Sequence, residues 1–306
     1  MALAYCILAH KNPAQVARLL RAVWHPDNLY VLHFEKRAPR AEHQALARLA
    51  DEHPNVRILP PRAVLWGRYS QVAIQLDALS RLLKDNVGWT HFINLTGQDF
   101  PLKPQTDIMS ELASARDMSF VSYFDPFDGI HWKNAGERLE RVHIDSPLLE
   151  VILGVPGLGR RLRHLLGWNN RMPSVPFLRR KPPATFKYVG GSNHTILARD
   201  AASYICSDPK ASETIRWLKW TGHPDESVYQ STLLNSRFSE LTVNDDRRAV
   251  FWANAGDPSP RTLDLKDLQR LREARDSGKL FARKFDPAVN EEVICEIEKD
   301  VAIQAV

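Results

Sequence analysis

Short apolar runs alternate with amphipathic stretches through the first half of the chain. Tyr5 to Ala9 is continuously apolar, the pattern of a strand buried on both faces, and His10-Lys-Asn-Pro13 is the turn behind it. From Gln15 to Val23, Val16, Leu19, Leu20 and Val23 recur at helical spacing and share one face. The alternation then continues. Strands are predicted at Asn28–Phe34, Val56–Leu59, Thr90–Leu95 and Met118–Tyr123, and helices at Ala41–Asp51, Ser70–Leu83 and Asp107–Ala115. Strand–helix–strand order with short loops implies parallel pairing, so the fold class is α/β, a doubly wound, mostly parallel sheet flanked by helices. Ligands bind beyond the carboxyl ends of such strands, which places the loops at 10–13, 35–38 and 62–71 near any cleft.

The second half is less regular. Residues 124–187 carry Trp132, Trp168 and several prolines and glycines, with an amphipathic helix predicted within Leu148–Leu166. A short strand, Lys187–Val189, leads into Gly190-Gly-Ser-Asn-His194, where paired glycines allow close backbone approach to a ligand or a neighbouring strand. A helix over Arg199–Cys206 precedes Thr221-Gly-His-Pro-Asp-Glu-Ser227. There a Gly and a Pro set a turn carrying two adjacent carboxylates, and a helix over Val228–Asn235 follows. Acids in a first helical turn commonly serve the helix dipole, and the chemical alternative is that Glu226 is a general base at a cleft rim. Glu240–Val243 and Arg248–Trp252 read as strands, Leu265–Asp276 and Pro287–Val301 as helices, with Lys279–Asp286 between them. No repeat or long linker divides the chain, which is read as one domain over 1–306, with an irregular basic insertion (124–187) between the stretches 1–123 and 188–306.

Composition narrows the class. Hydrophobic residues make up 44% and charged residues 25% of 306, as in a folded enzyme-sized chain. The net charge is +5, yet residues 151–187 contribute +8 with no Asp or Glu, leaving the remainder at −3. A local basic patch argues against nucleic acid as a partner and for one surface, 160–187, with peripheral membrane contact as one reading and a solvated excursion as the other. The three cysteines are scattered without C-x-x-C spacing, so a reducing, cytoplasmic location is expected. No run is long and apolar enough to span a membrane, and the apolar start lacks a basic leader. Walker, H-E-x-x-H and G-x-S-x-G motifs are absent, and the histidines show no metal-ligand spacing. Nor is there an Asp-x-Asp, the usual cation holder of nucleotide-sugar transferases. A diphosphate leaving group would then be balanced by Arg and Lys instead.

Six stretches in order carry a resemblance: His10–Pro13, Trp66-Gly-Arg-Tyr-Ser-Gln-Val72, Asn94–Lys103, Gly191-Ser192, Pro224-Asp-Glu226 and Leu280-Phe-Ala-Arg-Lys-Phe-Asp286. Together they resemble the core-2/I-branching β-1,6-N-acetylglucosaminyltransferase family, which also contains peptide xylosyltransferases and glucuronosyltransferases. The resemblance implies a GT-A-like fold, inversion, a UDP-sugar donor, a glycan acceptor, and no metal or other cofactor. Transferred by position, it implies Glu226 as catalytic base and Lys284 and Arg248 as diphosphate ligands, with Arg247 the alternative to Arg248. Asp99 and Val72 fall at uridine-site positions. The transferred sugar is expected to be GlcNAc, with xylose or glucuronate as alternatives. The expected setting is bacterial surface polysaccharide synthesis, where the acceptor can be lipid-linked and the enzyme peripheral at the inner membrane. The competing reading is a non-catalytic nucleotide- or saccharide-binding protein on the same scaffold.

Overall fold

The computed structural model describes residues 1–85, 87–144, 146, 161, 164, 174–183, 185–254, 257 and 259–303. The chain opens with β1 (Ala2–Ala9), α1 (Pro13–Val23), β2 (Leu29–Phe34), α2 (Arg40–Asp51), β3 (Val56–Ile58), α3 (Tyr69–Lys84) and β4 (Trp89–Thr96). Next come β5 (Asp99–Pro101), α4 (Gln105–Ser114), β6 (Ser119–Phe124), α5 (Ala135–Glu140), β7 (Arg141–His143) and β8 (Ser174–Arg179). The second half holds β9 (Gly190–Ala198), α6 (Arg199–Ser207), α7 (Pro209–Leu218), α8 (Val228–Leu234), β10 (Thr242–Asn244) and β11 (Arg248–Val250). It closes with α9 (Leu268–Asp276), β12 (Phe281–Arg283) and α10 (Glu291–Ile303).

Seven strands form the main sheet in the order β10-β6-β9-β4-β1-β2-β3. All pairings are parallel except those of β9, which runs antiparallel to both β4 and β6. The crossover helices follow from the sequence pattern. In α1, Asn12 caps the first turn by accepting from Gln15 N at 3.1 Å, Pro13 occupies the first turn, and Val16, Leu19, Leu20 and Val23 are buried against the sheet. One face of the sheet packs on α1, α4 and α10 through Leu19, Ile108 and Ile294, and the other on α3, α6 and α8 through Ile74, Ile205, Tyr229 and Leu233. Each such large apolar side chain removed from water contributes about 1.5–3 kcal/mol. A second small sheet, β11-β12-β5, stands beside the main one and carries the C-terminal cations. Among the described residues no helix is long and apolar enough to cross a membrane.

The mixed α/β sheet agrees with the sequence pattern, and three local expectations change. The strand expected at Lys187–Val189 begins instead at Gly190, and a Cβ on Gly191 would stand 1.9 Å from Ser122 O of β6, so of the two readings of the paired glycines the close approach of a neighbouring strand is the one seen. Helix α7 was not predicted, although Asp208 accepts from Lys210 N and Pro209 starts the helix. Residues 239–241 are a 3₁₀ turn, so the edge strand begins at Thr242. The helix predicted within Leu148–Leu166 lies largely outside the described residues, as do Arg160, Arg163 and Arg171 of the basic stretch, whereas Arg179 pairs with Glu140 and Arg180 donates to Trp217 O at 2.6 Å.

Candidate active site

A cleft of about 1450 Å³ opens where the turn before α8, helix α5, the start of β9 and the strands β11 and β12 converge. Of the three loops expected near it, the one over 62–71 contributes Trp66. Among the described residues, those at 10–13 and 35–38 do not line it.

The carboxylate turn is built by backbone bonds. Gly222 N donates to Arg138 O at 2.7 Å, and His223 N to Gly67 O at 3.1 Å. His223 takes a left-handed conformation (φ 51°), which turns the chain into Pro224–Glu226, a single 3₁₀ turn closed by Ser227 N donating to Pro224 O. The acids therefore do not lie in the first turn of α8, which begins at Val228. Helix-dipole service does not account for them.

Asp225 and Glu226 have different environments. Asp225 is buried at 4% exposure, and its carboxyl is pushed up to about 7, first by burial and then by the neighbouring Glu226 charge. Glu226 reaches the cleft with 30% of its side chain exposed and pairs with Arg138 Nη2 at 2.5 Å. Burial raises its pKa while Arg138 opposes the rise through charge and hydrogen bond. Arg138 is itself held: its guanidinium lies 3.8 Å over the Trp132 ring. The neighbouring imidazoles are kept neutral by burial, His223 down to about 3 and His143 to about 4.

The cations lie across the cleft. Arg248 is 3% exposed, lines the cleft, and spends two donors on Asn94 O (2.8 Å) and Asp246 O (2.9 Å), with its guanidinium 4.5 Å over Phe281. Arg247, the alternative, has φ 55° and turns away to Gly278 O and the Phe120 ring, so Arg248 is the one that faces the cleft. Arg283 also lines the cleft, in contact with His194 and with Nε 3.6 Å from Asp99 Oδ1. Lys284 is placed differently from expectation. It does not line the cleft directly but reaches Ser259 Oγ, which does, at 3.5 Å, and burial followed by Arg283 and Lys11 lowers its pKa.

Two expected ligand positions do not face the cleft. Asp99 is 0% exposed; its carboxylate accepts from Thr96 N at 2.6 Å and faces Arg283 and His194, so it anchors the cations from behind. Val72 is 0% exposed on the inner face of α3, packed in the apolar core. Sequence reasoning missed Arg138 and assigned no role to Arg283 or Asp225. Pairing across 88 residues leaves no local signal for Arg138, whereas Arg283 was visible between Phe281 and Phe285 in the same stretch as Lys284. Among the described residues no group of three His, Cys, Asp or Glu converges as a metal site.

Comparison with known proteins gives the family. A zebrafish (Danio rerio) beta-1,3-galactosyl-O-glycosyl-glycoprotein beta-1,6-N-acetylglucosaminyltransferase 4 is 25% identical over 97% of this chain and 69% of its own length. The mouse (Mus musculus) protein of that description is 26% identical over 94% of this chain and 63% of its own. Human (Homo sapiens) xylosyltransferase 2 is 26% identical over 95% of this chain, which spans only 33% of that protein. The chain thus spans between one third and about two thirds of the length of these relatives. The profile of the Core-2/I-Branching enzyme family matches residues 3–272, and the chain belongs to that family.

Proposed function

We propose that the chain is an inverting glycosyltransferase that moves a sugar from a UDP-sugar to a hydroxyl of a glycan acceptor without a metal ion. Family membership supports glycosyl transfer, with GlcNAc and xylose the two sugars named among the relatives. The observation that carries the finer reading is the placing of charges across one cleft: Glu226, on the turn before α8, reaches it from one wall, and Arg248 and Arg283 line the other.

In the reaction so read, Glu226 removes the proton from the acceptor hydroxyl as its oxygen attacks the anomeric carbon. The bond from that carbon to the diphosphate oxygen breaks on the opposite face, and its electron pair leaves with UDP. Arg138 keeps Glu226 ionised and aimed, so that it accepts a proton only when the attacking oxygen becomes acidic. Arg248 and Arg283, with Lys284 at the rim, meet the negative charge that grows on the departing diphosphate. Fixed cations contribute most where that charge is greatest. Asp99 supports this from behind by holding Arg283.

The test is UDP release from a panel of UDP-sugars, with and without glycan acceptors, in excess EDTA. Acceptor-stimulated release that persists in EDTA is the expected result. Strict dependence on added Mn²⁺ or Mg²⁺ removes the role given to the cations, and donor binding without release under any condition favours a non-catalytic binder.

A further inference from the structure

Trp66 is the most conspicuous side chain in the cleft that the reaction scheme leaves idle. It is 67% exposed, although the indole is the largest apolar surface a residue can place in water. It is nevertheless not loosely held. Its ring meets the His223 ring edge-on, with centroids 4.7 Å apart at 86°. Gly67 follows at φ +68°, its carbonyl accepts the His223 N–H at 3.1 Å, and a Cβ on it would stand 2.9 Å from His223 Nε2. His223 is the residue from which the Pro224–Glu226 turn starts. The indole and the base are thus parts of one rigid corner.

The other aromatics of the cleft differ. Trp132 is covered by Arg138 on one side and meets Phe124 edge-on at 5.3 Å. Trp252, 52% exposed, belongs to the chain leaving β11 and stands with Arg248 on the cation wall. Of the three described tryptophans of the cleft, Trp66 is the most exposed and stands on the wall of the base.

We infer that Trp66 is the stacking platform for the acceptor, and that the acceptor presented to Glu226 is a pyranose ring, not a serine hydroxyl on a peptide. A pyranose has an apolar face of C–H groups that covers an indole well, while its hydroxyl rim stays free for hydrogen bonding. A rigid indole supplies that contact at little entropic cost. A hydroxyl within reach of Glu226 belongs to a ring lying beside the corner that carries Trp66. The extended backbone of a serine acceptor offers no such face. The inference rests on the transfer reading above and specifies its acceptor.

The experiment measures steady-state transfer from UDP-GlcNAc and UDP-xylose to methyl β-galactopyranoside, to a methyl β-glycoside of a galactose-containing disaccharide, and to a serine-containing peptide. Wild type is compared with Trp66→Ala and Trp66→Phe. The expected result is use of the pyranosides, with acceptor KM raised on the order of tenfold by Trp66→Ala, partly restored in Trp66→Phe, and donor KM and melting temperature unchanged. Three outcomes overturn the inference while leaving glycosyl transfer intact: acceptor KM within twofold of wild type, a rise in donor KM instead, or transfer to the peptide and to neither pyranoside. Absence of UDP release from both donors with every acceptor overturns the transfer reading, and the platform falls with it.

Discussion

Replacing Arg138 by Met keeps an apolar stem over Trp132 and removes the charge that faces Glu226. A hydrogen bond between charged groups contributes about 1.5–3 kcal/mol. Here 21% of the Arg138 side chain and 30% of the Glu226 side chain reach water, so screening argues for the lower end, about 1.5 kcal/mol. At about 1.4 kcal/mol per factor of ten this is roughly tenfold in rate where the base is mostly protonated. The direction is fixed by the environment: burial already raises the Glu226 pKa, and Arg138 is what opposes it, so the variant's carboxyl titrates higher still. The acidic limb of kcat/KM should therefore move to higher pH. The variant loses about tenfold in rate on the acidic side and approaches wild type on the alkaline plateau. Initial rates of UDP release from pH 5.5 to 9.5 measure this, and Arg138→Lys should restore most of the shift. A loss of the same factor at every pH would refute the reasoning, because it would place Arg138 in substrate binding.

Two other expectations follow from the same geometry. Arg283→Met should lower kcat by about 10²–10³ with a smaller change in donor KM, and Lys284→Met should cost less, since Lys284 stands at the rim beside Ser259; equal effects of the two on kcat would contradict the arrangement. For stability, His223 (about 3), His143 and His33 (each about 4) are held neutral in the fold, whereas unfolded histidine titrates near 6.5. The unfolded chain thus binds more protons below that value, and stability should fall as pH drops from about 6.5 toward 4. Asp225, raised to about 7, and Glu226, raised by burial, act in the opposite sense over this window, but three imidazoles outweigh two carboxyls. A melting temperature that climbs between pH 6.5 and 4.5 contradicts this balance.

The main sheet was legible because its signal is local. Helical spacing in Val16, Leu19, Leu20 and Val23, and continuous apolar runs such as Tyr5–Ala9, depend only on near neighbours, and both elements stand where the pattern put them. The site was legible only in part. Glu226 and Arg248 face one cleft as their stretches implied, but Val72 sits in the core and Asp99 behind the cations, because a motif position does not say which side of an element it faces. The Arg138–Glu226 pair and the seat of Trp66 on His223 join residues 88 and 157 positions apart, and no periodicity reports contacts of that range. The glycine pair at 190–191 carried an ambiguous signal: it fits a ligand loop or a tight strand crossing, and the carbonyl of Ser122 decides for the strand.

The central claim is that one accessible carboxylate activates the acceptor while separate cations hold the donor. Glu226→Gln preserves size and hydrogen-bonding capacity and removes the base, so transfer and UDP affinity should separate. Measured together, acceptor-dependent UDP release should fall by about 10²–10⁴ while UDP still raises the melting temperature as it does in the wild type. A variant that keeps its transfer rate within a few-fold, or that loses UDP binding along with transfer, contradicts the account.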